Sequence, residues 1–192
     1  MSKEKILSAV LKNQPLRTEL PADLHFELPG KEALSEQFIQ MINFIGGKVT
    51  RIQNLQEINQ YVAEHFKSTD RIFTLIPELE HFTHLTGDES PHQFEDTELA
   101  VLKSHFAVAE NGSVWITEDQ MGHRVIPFIC QHLALVVEVQ NIMANMHQAY
   151  DVIQSQEYGF GTFIAGPSKT ADIEQSLVLG AHGPRSLLVF LL

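Results

Sequence analysis

A chain of 192 residues is the length of one domain with room for a substantial core. Its 24 acidic against 13 basic residues leave a formal charge of -11, which excludes the phosphate-neutralising surface of a nucleic-acid binder. A hydrophobic share of 44% with a single cysteine describes an ordinary globule. Such a chain forms no internal disulfide and supplies no cysteine set for an iron–sulfur cluster or a Cys-rich zinc site.

The opening residues Met1-Ser2-Lys3-Glu4-Lys5-Ile6 carry neither the apolar stretch nor the cleavage site of a secretory signal, so the expected location is the cytoplasm. Ile6, Leu7, Val10 and Leu11 then recur at helical spacing and predict a short amphipathic helix. Gln14 to Gly30 holds three prolines and no sustained period, which predicts an extended segment. The chain therefore divides into a helical and extended arm, 1–30, and a main domain, 31–192. Leu34, Phe38, Met41, Ile42 and Ile45 trace one face of a helix that Gly46-Gly47 stops. A strand over Val49 to Ile52 follows, then a helix through Leu55, Ile58, Val62 and Phe66, then a strand from Arg71 to Ile76 ended by Pro77. His81 to Asp96 is polar, holds three of the ten histidines and reads as an exposed loop.

Ser113 to Thr117 and Leu133 to Val139 read as strands, and Ile142, Met146, Ala149, Tyr150 and Ile153 as one helix. Thr162 to Ala165, Leu177 to Leu179 and Leu187 to Leu192 complete a strand-rich end. The last of these is the longest apolar run, far short of the ~20 residues of a membrane helix, and reads as a buried strand. No membrane insertion is expected. Strands alternating with helices of this length predict an α/β fold with a mixed, largely parallel sheet flanked by helices.

Three stretches carry candidate chemistry. In Phe163 to Glu174 an apolar strand enters Gly166-Pro167 and then Ser168, Lys169 and Thr170, with Asp172 and Glu174 beyond. One reading makes Ser168 the cap of a short helix whose dipole the two acids answer. The other makes the same helix start, with the Ser168 and Thr170 hydroxyls and the Lys169 ammonium, a seat for a phosphate or carboxylate. The spacing is not that of a P-loop. Gly180-Ala181-His182-Gly183 sets a histidine on a turn between two apolar strands, where an imidazole serves as acid, base or donor, or stands there incidentally. In Ala109-Glu110-Asn111-Gly112-Ser113 the Asn-Gly pair predicts a hairpin. Glu110 is then either a solvated turn residue or an acid held at the mouth of the sheet as base, nucleophile or cation ligand. His81, His84 and His92 stand near Asp88, Glu89 and Glu95 but match no metal-ligand spacing, so no metal is assigned. His132, at the start of a buried strand, reads as a core histidine or a ligand-facing one.

Phe163 to Pro184, FIAGPSKTADIEQSLVLGAHGP, closely resembles the C-terminal signature of the LUD-domain proteins, in particular the lactate utilisation protein C group. AENGSVWI at Ala109 to Ile116 and PFICQHLALVV at Pro127 to Val137 are similar to two upstream segments of the same family. The resemblance implies the NagB/RpiA/CoA-transferase-like α/β fold. It also implies a part in bacterial oxidation of lactate to pyruvate beside iron–sulfur partner proteins, with no cofactor bound by this chain. In that system the chain is an accessory or small-anion-binding subunit. The family's signatures fall on Glu110, Gly112, Ser113, His132, Gly166, Ser168, Thr170, Asp172, Glu174, His182 and Gly183, with Lys169 between two of them. This chain has Ser104-His105 where many relatives carry an acid, and Asn111 where they carry Thr or Ser. With Asn111 present, Glu110-Asn111-Gly112 is similar to the motif whose Glu is the nucleophile of some CoA transferases of the same broad fold. The alternative is thus a CoA or acyl transferase, or a sugar-phosphate-handling enzyme, using Glu110. A third reading is a homo-oligomeric scaffold that meets partners through the loop from His81 to Asp96.

Overall fold

The computed structural model describes residues 2–19, 29–170 and 178–192. Helix α1 (Lys3–Lys12) starts where the Ser2 hydroxyl accepts the Lys5 N–H, but none of its residues is buried. Helix α2 (Lys31–Phe44) buries Leu34, Phe38 and Ile42, the stripe that the sequence period predicts. Its end is closed by Gly47, whose N–H donates to the Ile42 carbonyl at 2.9 Å. Strand β1 (Lys48–Arg51), helix α3 (Gln56–His65) and strand β2 (Arg71–Thr74) follow in the expected order. The stretch after Pro77 is largely irregular, with one 3-10 turn at Pro91–Phe94 that sinks Phe94 into the core.

Strand β3 (Thr97–Lys103) leads into the hairpin of β4 (Phe106–Val108) and β5 (Ser113–Thr117), and the short helices α4 (Glu118–Met121) and α5 (Ile126–Ile129) precede β6 (His132–Val137). Strand β7 (Ile142–Met143), helix α6 (Met146–Ile153), strand β8 (Gly161–Ile164) and strand β9 (Ser186–Leu191) complete the chain. One expectation is corrected here. Ile142 shares the helical period of Met146 to Ile153 but lies in β7, paired to Ala107 of β4, because Asn145 caps the helix three residues later by accepting the Gln148 N–H.

The fold is α/β, with its strands divided between two sheets. Five parallel strands run in the order β1-β9-β6-β3-β2, and four strands form a smaller mixed sheet in the order β7-β4-β5-β8. The division follows from chain length between strands. Only Ser104 and His105 separate β3 from β4, too few residues for the crossover that a parallel neighbour needs. At that point Ser104 still donates to the Val136 carbonyl of β6, whereas His105 already donates to the Trp115 carbonyl of β5.

Both faces of the parallel sheet are covered. Leu133, Leu135 and Val137 of β6, with Leu187, Val189 and Leu191 of β9, face one core that includes Phe38, Ile42 and Met121. The alternate residues Ala134, Val136, Leu188 and Phe190 face a second core with Ile58 and Val62 of α3. This two-sided burial is why the final strand is an unbroken apolar run instead of an alternating one. A third cluster packs Phe106, Val108 and Trp115 of the smaller sheet against Ala149 and Ile153 of α6. Among the described residues, no helix is long and apolar enough to cross a membrane.

Candidate functional site

The C-terminal end of α2 is where the signature segments meet. Pairing of Val114 with Ile164 in the β5–β8 ladder brings the hairpin turn level with the residues that follow β8. Gly112 and Gly166 both take a positive φ, +69° and +77°, and both press against that helix end. A Cβ on Gly112 would stand 3.1 Å from Ile45 Cδ1 and from Met41 Cγ, and one on Gly166 would stand 2.9 Å from the Ile45 carbonyl oxygen. Glycine is required at both places for conformation and for space. Lys169 then reaches back and donates from Nζ to the Ile45 carbonyl at 2.5 Å, setting a cation at the negative end of α2.

Beyond Gly166 the chain does not begin a helix at Ser168. Residues 168–170 are extended, Lys169 bridges Leu179 in antiparallel fashion, and Ser168 N–H donates to the Pro184 carbonyl. Thr170 N–H donates to the Val178 carbonyl, and Thr170 Oγ1 accepts from the Val178 N–H. The amides expected to face an anion at Ser168 and Thr170 are therefore spent on this ladder. Asp172 and Glu174, and Leu177 of the predicted short strand, lie outside the described residues.

A cleft of about 310 Å³ opens beside the ladder. Gly166, Ser168, Lys169, His182 and Gly183 line it together with an apolar wall of Phe128, Leu133, Phe163 and Leu187. Five of the expected residues thus converge. Gly183 lets its backbone approach closely, since a Cβ there would stand 3.1 Å from the Ser168 Cβ. Polar chemistry in the cleft comes from the Ser168 hydroxyl, the exposed His182 imidazole and the remaining donors of Lys169, whose ammonium carries three.

The other expected residues stand elsewhere. Glu110 is exposed at the hairpin tip, where its carboxylate accepts the Met146 N–H at 3.0 Å and closes the start of α6. Ser113 is buried and donates its hydroxyl to Asn111 Oδ1 at 2.7 Å, which locks the turn. Neither lines the cleft. His132 opens β6 and faces a second, larger cleft of about 570 Å³. The apolar wall of the first cleft, and the partners of His132 in the second, were not singled out in the sequence. Their one signal is a polar residue opening a buried strand, as Ser186 and His132 do. Cys130 is buried in the first core, and burial pushes its thiol up to about 12, which keeps it protonated and a poor nucleophile at neutral pH. No group of three or more His, Cys, Asp and Glu side chains among the described residues could hold a metal ion.

Residues 74–192 match the family model of the LUD domain. The chain is 30% identical over 103 residues to lactate utilization protein C of Bacillus pumilus, covering 50% of this chain and 43% of that protein. It is 25% identical over 152 residues to the protein of the same name from Anoxybacillus flavithermus, covering 79% of this chain and 66% of the relative. With the Geobacillus kaustophilus protein of that name it shares 33% identity over 104 residues, 51% of this chain and 43% of the relative. The chain thus spans less than two thirds of the length of each of these relatives. In fold it is similar to the crystal structure of a DUF162 family protein from Deinococcus radiodurans, with a TM-score of 0.60 over 85% of this chain and 99% of that one at 16% identity.

Proposed function

This chain belongs to the LUD-domain family, and from that premise we propose that it serves lactate utilisation as a counterpart of lactate utilisation protein C. In this reading the cleft between Gly166 and Gly183 seats a small carboxylate. One observation carries the reading: within the family match, the signature residues Gly166, Ser168, His182 and Gly183 converge with Lys169 on a single cleft with an apolar wall. A three-carbon hydroxy or keto acid offers a carboxylate, one further oxygen and a methyl group. The cleft offers Lys169, Ser168 and His182 to the polar end, and Phe128, Leu133 and Phe163 to the methyl.

Oxidation of lactate to pyruvate releases two electrons, and in this proposal they pass through iron–sulfur partner proteins in the cytoplasm. One buried, protonated cysteine fits no cluster, so the electron carriers would be those partners. Growth tests the reading. Deletion of the gene should abolish growth on L-lactate as sole carbon source in an organism that uses it, with growth on pyruvate kept. The intact gene should restore growth, whereas Ser168→Ala and His182→Ala, folded with unchanged Tm, should not. Unimpaired growth of the deletion strain would overturn the proposal.

A further inference from the structure

His132 and the cleft it faces take no part in the reading above. Glu98, His132 and Ser186 stand at the starts of three adjacent parallel strands: Leu99, next to Glu98, is paired with His132, and His132 with Ser186. His132 Nδ1 lies 2.7 Å from Ser186 Oγ, and its Nε2 lies 3.7 Å from Glu98 Oε1. A carboxylate beside Nε2 favours the proton on that nitrogen, which leaves the Nδ1 lone pair to accept the Ser186 hydroxyl proton. The edge of Phe66 meets the imidazole at 5.8 Å between ring centroids and limits its rotation. Both His132 and Ser186 are half-buried and open into the cleft of about 570 Å³, a volume suited to a small organic ligand. Tyr61 and Phe66 supply its aromatic wall, and Lys48 and Lys67, neither in an ion pair among the described residues, supply cations at its lining.

We infer that Ser186, His132 and Glu98 act as nucleophile, base and orienting acid in the hydrolysis of a small ester or thioester. Its apolar acyl part would meet Tyr61 and Phe66, and an anionic leaving group would meet Lys48 and Lys67. Ser186 Oγ attacks the acyl carbon as its proton passes to His132 Nδ1. The bond from the acyl carbon to the leaving oxygen or sulfur breaks, and His132 returns the proton to that atom. Water then attacks the acyl-serine, gives its proton to His132, and releases the acid as Ser186 Oγ recovers the proton. One ester and one water yield one acid and one alcohol or thiol, with no change of oxidation state.

A fluorophosphonate, which modifies serines activated by a base, is the probe, applied to the full chain with intact-mass and peptide mapping as readouts. A single adduct on Ser186 is expected. His132→Asn should slow labelling by at least about 100-fold and Glu98→Gln less, with Tm compared for each. Absence of label on Ser186 in the folded wild-type chain would overturn the inference. So would labelling that His132→Asn leaves undiminished, since Ser186 and Glu98 would then only tie strand ends to the imidazole. Neither result bears on lactate growth, so this proposal and the preceding one fail separately.

Discussion

At Gly166 the chain turns with φ +77° against the last carbonyls of α2, and the first cleft is built outward from that contact. Gly166→Ala combines a strained conformation with a methyl group 2.9 Å from the Ile45 oxygen. It should cost about 1–3 kcal/mol of stability, read as a lowered denaturant midpoint. A midpoint equal to that of the wild type would show that the α2 contact is not needed. The sequence makes residues legible when their reasons are local. Asn111-Gly112 announces a turn by its own chemistry, and a hairpin stands there. The role of Glu110 is not legible, because its partner Met146 lies 36 positions away, and Lys169 meets an oxygen 124 positions distant. Ser168 reads as a helix cap from its neighbours, yet the Pro184 carbonyl, which only the fold brings near, claims its amide. The same holds for His132, which is visible as a strand opener, as Ser186 is, while their meeting with each other and with Glu98 is not.

Elements with a strong period and clear punctuation are the ones the sequence delivers. Helix α2 has its apolar stripe and two glycines, and β9 its unbroken apolar run. Strand β3 escapes notice because Leu99, Ala100, Val101 and Leu102 form a short run that suits a buried helix turn as well as a strand, flanked by Glu98 and Lys103. Strand β7 is absorbed into the period of α6, since two residues carry no alternation to tell them apart. The start of β8 depends on α4. Glu118 accepts two hydrogen bonds from Arg124, at 2.9 and 2.5 Å, and one from the Gly159 N–H at 2.9 Å. The Arg124 hydrogen bonds, with help from that backbone amide, hold the Glu118 carboxyl below its ordinary range. A lowered folded-state value means the contribution is complete above the ordinary carboxylate pKa and is lost as pH falls through the lower, folded value. Amide exchange at Gly159 should therefore show protection at neutral pH that fades on acidification once intrinsic exchange rates are corrected for. In Glu118→Gln that pH dependence should disappear. A Gly159 amide equally protected in both proteins would refute the link.

Across the whole molecule, stability is concentrated in the parallel sheet and its two cores, and α1 stands outside them. Ile6, Leu7, Val10 and Leu11 are 50–69% exposed, so removing residues 2–13 takes nothing from the core. The truncated chain should unfold within about 0.5 kcal/mol of the full one. Loss of residues 187–192 should instead abolish folding, since every residue from Leu187 to Leu191 is buried and packed on one core or the other. Thermal melts of the two truncations check both outcomes, and a folded protein lacking 187–192 would contradict the sheet order. That order was beyond sequence reading, because register between strands far apart in the chain leaves no local mark. It also governs how the molecule comes into being. Strand β9 lies between β1 and β6, so β1 has no sheet partner until a strand about 140 residues downstream has been made. Such distant pairing makes for slow folding. A nascent chain that has emerged only as far as β8 carries β1 without its sheet partner and β6 with an open edge, and β6 is an apolar ribbon that invites pairing with other chains. Synthesis rate and chaperone supply, more than the stability of the finished protein, should then decide how much of it accumulates.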